Sequence, residues 1–108
     1  MAVTLPKPVA EYFTAANGDD ADRAAACFAD DALVHDEGGD YRGRAAIRGW
    51  AEEVRRKYRF HAEPIAVEET ADRTIVTAHL TGDFPGNPVD LPYRFKLAGS
   101  QIVALEIG

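Results

Sequence analysis

The chain opens with the hydrophobic spacing of a helix, which is predicted to end at Asn17-Gly18. Pro6 and Pro8 suit the entrance to such a helix, because proline lacks the amide hydrogen that the first helical turn leaves unbonded. The apolar positions recur three and four residues apart, as on one helical face: Val9, Tyr12, Phe13 and Ala16.

Two more helices and one short strand are predicted before residue 60. Asp20 is the expected N-cap of a helix from Ala21 to about Ala29. Ala32–Asp36 predicts a short strand, and the glycines that follow predict a loop at Glu37–Asp40. A third helix is predicted at Arg44–Tyr58, with an apolar face formed by Ile47, Trp50, Val54 and Tyr58.

From residue 60 onward the apolar positions alternate, which is typical of strands. Four strands are predicted: Phe60–Glu69, Thr74–Phe84, Val89–Leu97 and Gln101–Ile107. The apolar parity of the first of them changes near Pro64, and a β-bulge explains that change. Short turns join consecutive strands into hairpins, so the sheet is expected to be antiparallel.

The order of these elements predicts an α+β fold in a single domain, residues 1–108. Helices come first and most strands later, which favours three N-terminal helices packed on one face of a curved antiparallel sheet. A bent sheet covered by helices forms a cone-shaped α+β barrel. The mouth of such a cone is a natural place for a small-molecule pocket.

Composition narrows the class of protein further. With 12 Lys and Arg against 18 Asp and Glu, the 108 residues carry a net charge of −6, which argues against nucleic acid as a partner. No apolar run approaches the roughly 18 residues of a membrane span. The N-terminus lacks the apolar core of a secretory signal, and the single Cys27 cannot form an intrachain disulfide, so a cytoplasmic protein is expected.

The charges are unevenly distributed along the chain. Eight acidic residues fall between Asp19 and Asp40, and seven basic residues fall between Arg42 and Arg59. We interpret them as two solvated faces that attract each other within the domain or between two copies, because exposed ion pairs are common and individually weak. An anion site, or a protein partner on the basic helix, is the alternative.

No motif predicts a metal ion or a cofactor. His35, Asp36, His61 and His79 could each bind a metal, but their spacing matches no dense metal-binding motif. The sequence also has no glycine-rich nucleotide-binding loop and no nucleophile-elbow motif. Any chemistry is therefore expected to come from side chains alone.

Three stretches carry a family resemblance: Phe28-Ala-Asp-Asp-Ala-Leu-Val-His-Asp36, Gly43-Arg-Ala-Ala-Ile47-Arg and Tyr93-Arg-Phe95. Through them the whole chain resembles the nuclear transport factor 2-like superfamily, in particular its SnoaL-like and ketosteroid-isomerase-like bacterial members. The resemblance implies the cone-shaped barrel. It leaves the activity open, because that fold hosts isomerases, dehydratases, epoxide hydrolases, cyclases and non-enzymatic binders.

The resemblance also implies roles for individual residues. Asp36 falls on the position of the general base in ketosteroid-isomerase-like members, and Tyr12 on that of the tyrosine that donates to the enolate oxygen. The second donor of that family is a protonated aspartate, and Leu91 stands at its position here. A true steroid isomerase is therefore not expected. Aromatic residues expected to form the core and the wall of the pocket are Phe13, Phe28, Trp50, Tyr93 and Phe95.

The histidines leave alternatives open. His35 and Asp36 are neighbours on a strand, so only one of them can face the cone. His79 shares a polar face with Thr77 and Thr81, which is either the pocket wall or the wet side of the sheet. His61 is placed either at the opening of the pocket or on the surface.

Two functions from different classes fit these observations. One is a cofactor-independent enzyme of isomerase, cyclase or dehydratase type, in which Asp36 transfers a proton and Tyr12 polarises the oxygen of a small apolar carbonyl or hydroxyl compound. The other is a non-catalytic ligand-binding or dimerisation module with the same cone. In either case we expect a homodimer that uses the outer face of the sheet.

Overall fold

The computed structural model describes residues 3–18 and 20–108, which form three helices and six strands. The helices are α1 (Lys7–Asn17), α2 (Ala21–Ala26) and α3 (Arg44–Tyr58). The strands are β1 (Phe28–Asp36), β2 (Gly39–Arg42), β3 (His61–Glu69), β4 (Thr74–Thr81), β5 (Val89–Ala98) and β6 (Gln101–Ile107). Met1, Ala2 and the acidic Asp19, which belong to the predicted domain, lie outside the described residues.

The six strands form one sheet in the order β2-β1-β6-β5-β4-β3, with the three helices packed on it. The predicted α+β class is therefore confirmed. One pairing departs from the expected antiparallel sheet, because β1 runs parallel to β6. A parallel pair needs a long connection between its strands. Here α3 and the β3–β6 hairpins intervene between β1 and β6, so no tight turn forces the two strands to be antiparallel.

Several boundaries differ from the prediction. The second helix ends at Ala26 instead of Ala29, and β1 begins at Phe28, because Phe28 and Ala32 are buried in the sheet while the acidic residues between them stay exposed. The predicted loop Glu37–Asp40 contains a two-residue hairpin turn, in which Glu37 and Gly38 have positive φ angles of 51° and 78°. This turn joins β1 to β2. The strand β4 ends at Thr81, three residues before Phe84.

Other local predictions are confirmed. The side chain of Asp20 accepts a hydrogen bond from the backbone amide of Arg23 and caps α2. The register of β3 against β4 shifts between Pro64 and Ala66, which is the predicted bulge. The end of α1 is fixed to β3 by Asn17, whose side-chain amide exchanges two 2.8 Å hydrogen bonds with the backbone of Ala62.

The core lies between α1 and the inner face of the sheet. Tyr12 and Phe13 place their rings edge-on against Phe95, at centroid distances of 5.8 and 5.9 Å. Tyr12 also meets Phe28 edge-on at 5.8 Å. Such edge-to-face pairs contribute about 0.5–1.5 kcal/mol each beyond the area that they bury. This aromatic cluster fixes α1 on the sheet, and with it the position of Tyr12.

Gly82 follows β4, and its backbone passes very close to the backbone of the residues at and after the end of α3. A Cβ atom built on Gly82 would lie 2.7 Å from the Cα of Phe60 and 2.8 Å from the carbonyl oxygen of Arg59. Both are backbone atoms, so relief of the clash requires the two segments to separate. We expect Gly82→Ala to lower the free energy of unfolding by about 1–3 kcal/mol.

Chemical denaturation measures this effect. The matched control is Gly49→Ala inside α3, where nothing lies within 4 Å of the added methyl group. The free energy of unfolding of that variant is expected to rise by about 0.5–1 kcal/mol, because alanine has a higher helix propensity than glycine. Equal stability of Gly82→Ala and the parent protein would contradict the close approach.

Candidate functional site

A cavity of about 1320 Å³ lies between the helices and the inner face of the sheet. Its apolar wall includes Val54, Phe60, Leu80, Leu91 and Ile107. Four polar aromatic side chains also line it, together with the carboxylate of Asp36: those of Tyr12, Trp50, Tyr58 and Tyr93. The volume exceeds what most small ligands need. Charged side chains of α2 and α3 line it as well, among them Asp22, Arg48 and Glu52. The cavity therefore combines an apolar wall with polar and charged groups.

Asp36 lies at the end of β1 and turns toward this cavity. The indole Nε1–H of Trp50 in α3 donates to its Oδ2 atom at 3.0 Å. The carboxyl group is half-buried, and this burial is the main reason that the pKa of Asp36 is raised. The Trp50 hydrogen bond favours the carboxylate and acts in the opposite direction. Asp36 is thus an oriented carboxylate whose basicity is raised by its surroundings.

His35 points to the other side of β1. Its Nδ1 atom lies 2.5 Å from a carboxylate oxygen of Asp40 on β2, and both side chains are largely exposed. This hydrogen bond raises the pKa of His35. Of the two neighbours, Asp36 therefore faces the cavity and His35 does not.

Tyr12 and Tyr93 bring two phenol groups to the same cavity, from α1 and β5 respectively. Tyr12 is 4% exposed and Tyr93 is 3% exposed. Neither hydroxyl bonds to another described residue, and no fully buried polar side-chain atom in residues 3–18 and 20–108 lacks a partner. Both hydroxyls therefore open into the cavity. Burial raises the pKa of each phenol, and the negative charge of Asp36 raises both further, so both phenols stay protonated at neutral pH.

The rim of the cavity beside Asp36 is closed by a hydrogen bond that sequence reasoning missed. The hydroxyl of Tyr58 at the end of α3 donates to Oε2 of Glu37 at 2.6 Å. The ring of Phe84 meets that of Tyr58 edge-on at 6.1 Å. The negative charge of Glu37 also raises the pKa of Asp36. Only the position of Glu37 directly after Asp36 in the sequence could have signalled this contact.

The structure separates the other predicted site residues from the cavity. Phe13, Phe28 and Phe95 are buried in the core behind Tyr12 and Tyr93. His79 lies on the outer face of β4, whereas the next residue, Leu80, faces inward. The Nδ1 atom of His79 is 2.7 Å from a carboxylate oxygen of Asp90. His61 is exposed at the start of β3. Of the predicted wall residues, Trp50 and Tyr93 line the cavity.

Two arginines of α3 at the mouth of the cavity are paired with acids. Arg48 bonds to Asp22 of α2 and lies 3.8 Å from Glu52, which also lies 3.7 Å from Arg56. This supports the interpretation of two solvated faces that attract each other. The alternatives of an anion site and a protein partner, like the homodimer, stay predictions.

Between residues 3 and 108, with Asp19 left out, no group of three or more His, Cys, Asp or Glu side chains is arranged to hold a metal ion. Over the same part of the chain, no helix has the length and hydrophobicity needed to span a membrane.

Replacement of Trp50 by a residue without an N–H tests how this hydrogen bond affects the pKa of Asp36. We expect Trp50→Phe to raise the pKa of Asp36 further, because the hydrogen bond that favours the carboxylate is lost. The midpoint of a ¹³C NMR titration of the Asp36 carboxyl group would then move to higher pH. The control is Tyr41→Phe, which removes a hydroxyl but keeps the ring whose centroid lies 6.2 Å from that of Trp50. An unchanged titration in Trp50→Phe would contradict this assignment.

Comparison with known proteins places the chain in a family. The model of the SnoaL-like domain matches residues 9–104. A candidate polyketide cyclase from Sinorhizobium meliloti is 38% identical, with a TM-score of 0.92 over 96% of this chain and 95% of that chain. A Catenulispora acidiphila protein with a ketosteroid isomerase-like fold, solved with trimethylamine, is 21% identical, with a TM-score of 0.84 over 97% of this chain and 86% of that chain. No curated protein matches. The chain belongs to the SnoaL-like domain family.

Proposed function

We propose that this protein is a cofactor-independent acid–base enzyme of isomerase or cyclase type, which acts on a small apolar carbonyl compound. The observation that carries the proposal is the half-buried carboxylate of Asp36, held by Trp50 in a cavity that the hydroxyl of Tyr12 also reaches. Membership of the SnoaL-like family and the similarity to candidate polyketide cyclases support this class of activity.

The proposed reaction begins with proton transfer to Asp36. Its carboxylate removes a proton from a carbon next to the carbonyl group, so that Asp36 becomes a carboxylic acid and the substrate becomes an enolate. A raised pKa of Asp36 makes this transfer less unfavourable, because the base binds the proton more strongly.

The enolate oxygen needs a hydrogen-bond donor that is neutral at working pH. The hydroxyl of Tyr12 meets this need, because burial and nearby negative charge keep it protonated. The reaction ends when Asp36 returns the proton to another carbon, which gives an isomer. In a cyclisation, the enolate carbon instead attacks a second carbonyl of the same molecule, and Asp36 protonates the resulting alkoxide. Both sequences balance without a cofactor.

Proton exchange tests the proposal without knowledge of the natural substrate. 2-Tetralone is an apolar bicyclic ketone with acidic C–H groups beside its carbonyl. In D₂O, the wild-type protein is expected to speed deuterium incorporation at those carbons above the buffer rate, as followed by ¹H NMR. Binding of 2-tetralone without faster exchange would contradict the proposed enzymatic activity. It would favour the alternative, a non-catalytic binding module of the same fold.

A further inference from the structure

Asp36 is a charged group on the cavity wall without a charged partner. Its carboxylate accepts hydrogen bonds from two neutral groups, the indole of Trp50 at 3.0 Å and the backbone amide of Glu37. Among the described residues, no ion pair joins it to an arginine or a lysine. Because this half-buried carboxylate has lost part of its hydration, a cation that enters the cavity would replace the stabilisation that water no longer gives.

A second carboxylate lies directly after the first in the chain. Of the charges that act on Asp36, that of Glu37 has the largest effect. The hydroxyl of Tyr58 donates to Oε2 of Glu37 at 2.6 Å and holds this carboxylate at the rim of the cavity. His35, the nearby cationic group, is exposed on the other side of β1 and pairs with Asp40. The end of the cavity at Asp36 is therefore negatively charged and attracts cations.

Arginines also line the cavity, but their contacts do not neutralise Asp36. Two of them are paired with other acids, Arg48 with Asp22 and Arg56 with Glu52. The strongest charge effects on Asp36 come from its two neighbours in the sequence, not from an arginine. The arginines of the lining all belong to α3 or follow it directly: Arg48, Arg55, Arg56 and Arg59.

The same cavity has an aromatic wall, formed by Tyr12, Trp50, Tyr58, Phe60, Phe84 and Tyr93. The negative charge of Asp36 acts on the phenols of Tyr12 and Tyr93, so both rings lie near it. Both residues are more than nine-tenths buried, and their hydroxyls open into the cavity without a partner among the described residues. Aromatic rings attract cations, and the oxygen of a phenol can accept a hydrogen bond from an ammonium group.

We infer that the cavity also binds protonated amines with apolar substituents, whose N–H⁺ group donates to Asp36 while the substituents contact the aromatic wall. A tertiary amine fits best, because its single N–H is satisfied by the carboxylate and leaves no other donor against the apolar wall. This inference concerns binding alone and goes beyond the proposed function. A bound amine occupies the proposed base, so it should inhibit the exchange of 2-tetralone protons competitively.

Two ligands that differ in charge test the inference. 2-(Dimethylamino)tetralin is a tertiary amine that is protonated at neutral pH, and 2-tetralol carries a neutral hydroxyl group on the same two rings. Isothermal titration calorimetry at low salt measures both affinities. We expect the wild-type protein to bind the amine at least about tenfold more tightly than the alcohol, since only the amine offers a charged donor to Asp36.

Substitutions place the amine at Asp36. Asp36→Asn is expected to weaken amine binding about 10- to 100-fold, the effect of one hydrogen bond between charged groups, and to change the affinity for 2-tetralol less than about threefold. The matched control is Asp22→Asn, because Asp22 lines the same cavity but is paired with Arg48. That control should change amine affinity less than about threefold.

A titration of the wild-type protein tests the same contact without a substitution. A bound cation favours the carboxylate, so the amine should move the ¹³C NMR titration midpoint of Asp36 to lower pH, by about one to two pH units. This measurement decides the matter even if Asp36→Asn does not fold.

The outcomes separate this inference from the proposed function. Equal affinity of the wild-type protein for the amine and the alcohol would overturn the inference. So would an unmoved titration midpoint of Asp36, or an equal loss of amine affinity in Asp36→Asn and Asp22→Asn. Proton exchange of 2-tetralone that the amine does not inhibit would also overturn it and leave the proposed function intact. Tight amine binding at Asp36 in a protein that does not catalyse exchange would support the inference and contradict the proposed function.

Discussion

Asp36→Asn is expected to lower the rate of 2-tetralone proton exchange by about 10²–10⁴-fold, the contribution typical of a positioned general base. The amide keeps the shape of the side chain and an oxygen that can accept from Trp50 Nε1. It cannot accept the substrate proton at neutral pH. The exchange rate by ¹H NMR measures this effect, and binding of 2-tetralone should persist.

The stability of Asp36→Asn separates a functional carboxylate from a structural one. Burial raises the pKa of Asp36 in the folded protein, so folding disfavours its charged form. The stability that this group contributes is therefore present below its ordinary pKa and is lost as pH rises through the folded value. At neutral pH, Asp36→Asn should unfold at the same temperature as wild type or higher. That advantage should shrink in acid.

The matched control for both measurements is Asp40→Asn. Asp40 lies on the same hairpin, but it pairs with His35 on the outer face of the sheet. Its replacement should leave the exchange rate unchanged. A clear loss of stability in Asp36→Asn at neutral pH, or equal loss of activity in both variants, would contradict the role of Asp36.

Tyr12→Phe is expected to lower kcat by about 10²–10³-fold, the usual effect of removing one donor to a developing oxyanion. The phenylalanine ring can keep the edge-on contacts with Phe28 and Phe95. KM should change much less than kcat, because the hydrogen bond strengthens as charge develops on the oxygen. Steady-state kinetics of 2-tetralone exchange measures both constants, and Tyr41→Phe is the control. Equal rates for Tyr12→Phe and wild type would show that the hydroxyl takes no part in the reaction.

The sequence predicted most of the elements because their hydrophobic spacing is strong. The apolar face of α1 was sufficient to place Tyr12, and the alternation in β5 was sufficient to place Tyr93. The hairpin strand β2 was missed, because Gly39–Arg42 is four residues long and shows no apolar alternation. Its turn also begins with glutamate instead of the usual asparagine or aspartate.

The candidate site was predictable only in part. Asp36 and Tyr12 were identified through a family resemblance, since nothing in their local spacing sets them apart. The hydrogen bond from Trp50 to Asp36 joins a helix to the end of a strand, and that contact depends on tertiary packing. The side of the sheet that carries His79 was undecided because a polar strand face is expected both at a pocket wall and on the solvent side of a sheet. Its pairing with Asp90 on the outer face decides the matter.

A crystal structure of the protein soaked with 2-tetralone tests the central claim most directly. The account predicts the ketone inside the cavity, with its oxygen within hydrogen-bond distance of the Tyr12 hydroxyl and an acidic carbon in contact with the Asp36 carboxylate. A ketone bound elsewhere on the protein, or one inside the cavity with its oxygen turned toward Asp36, would contradict the account.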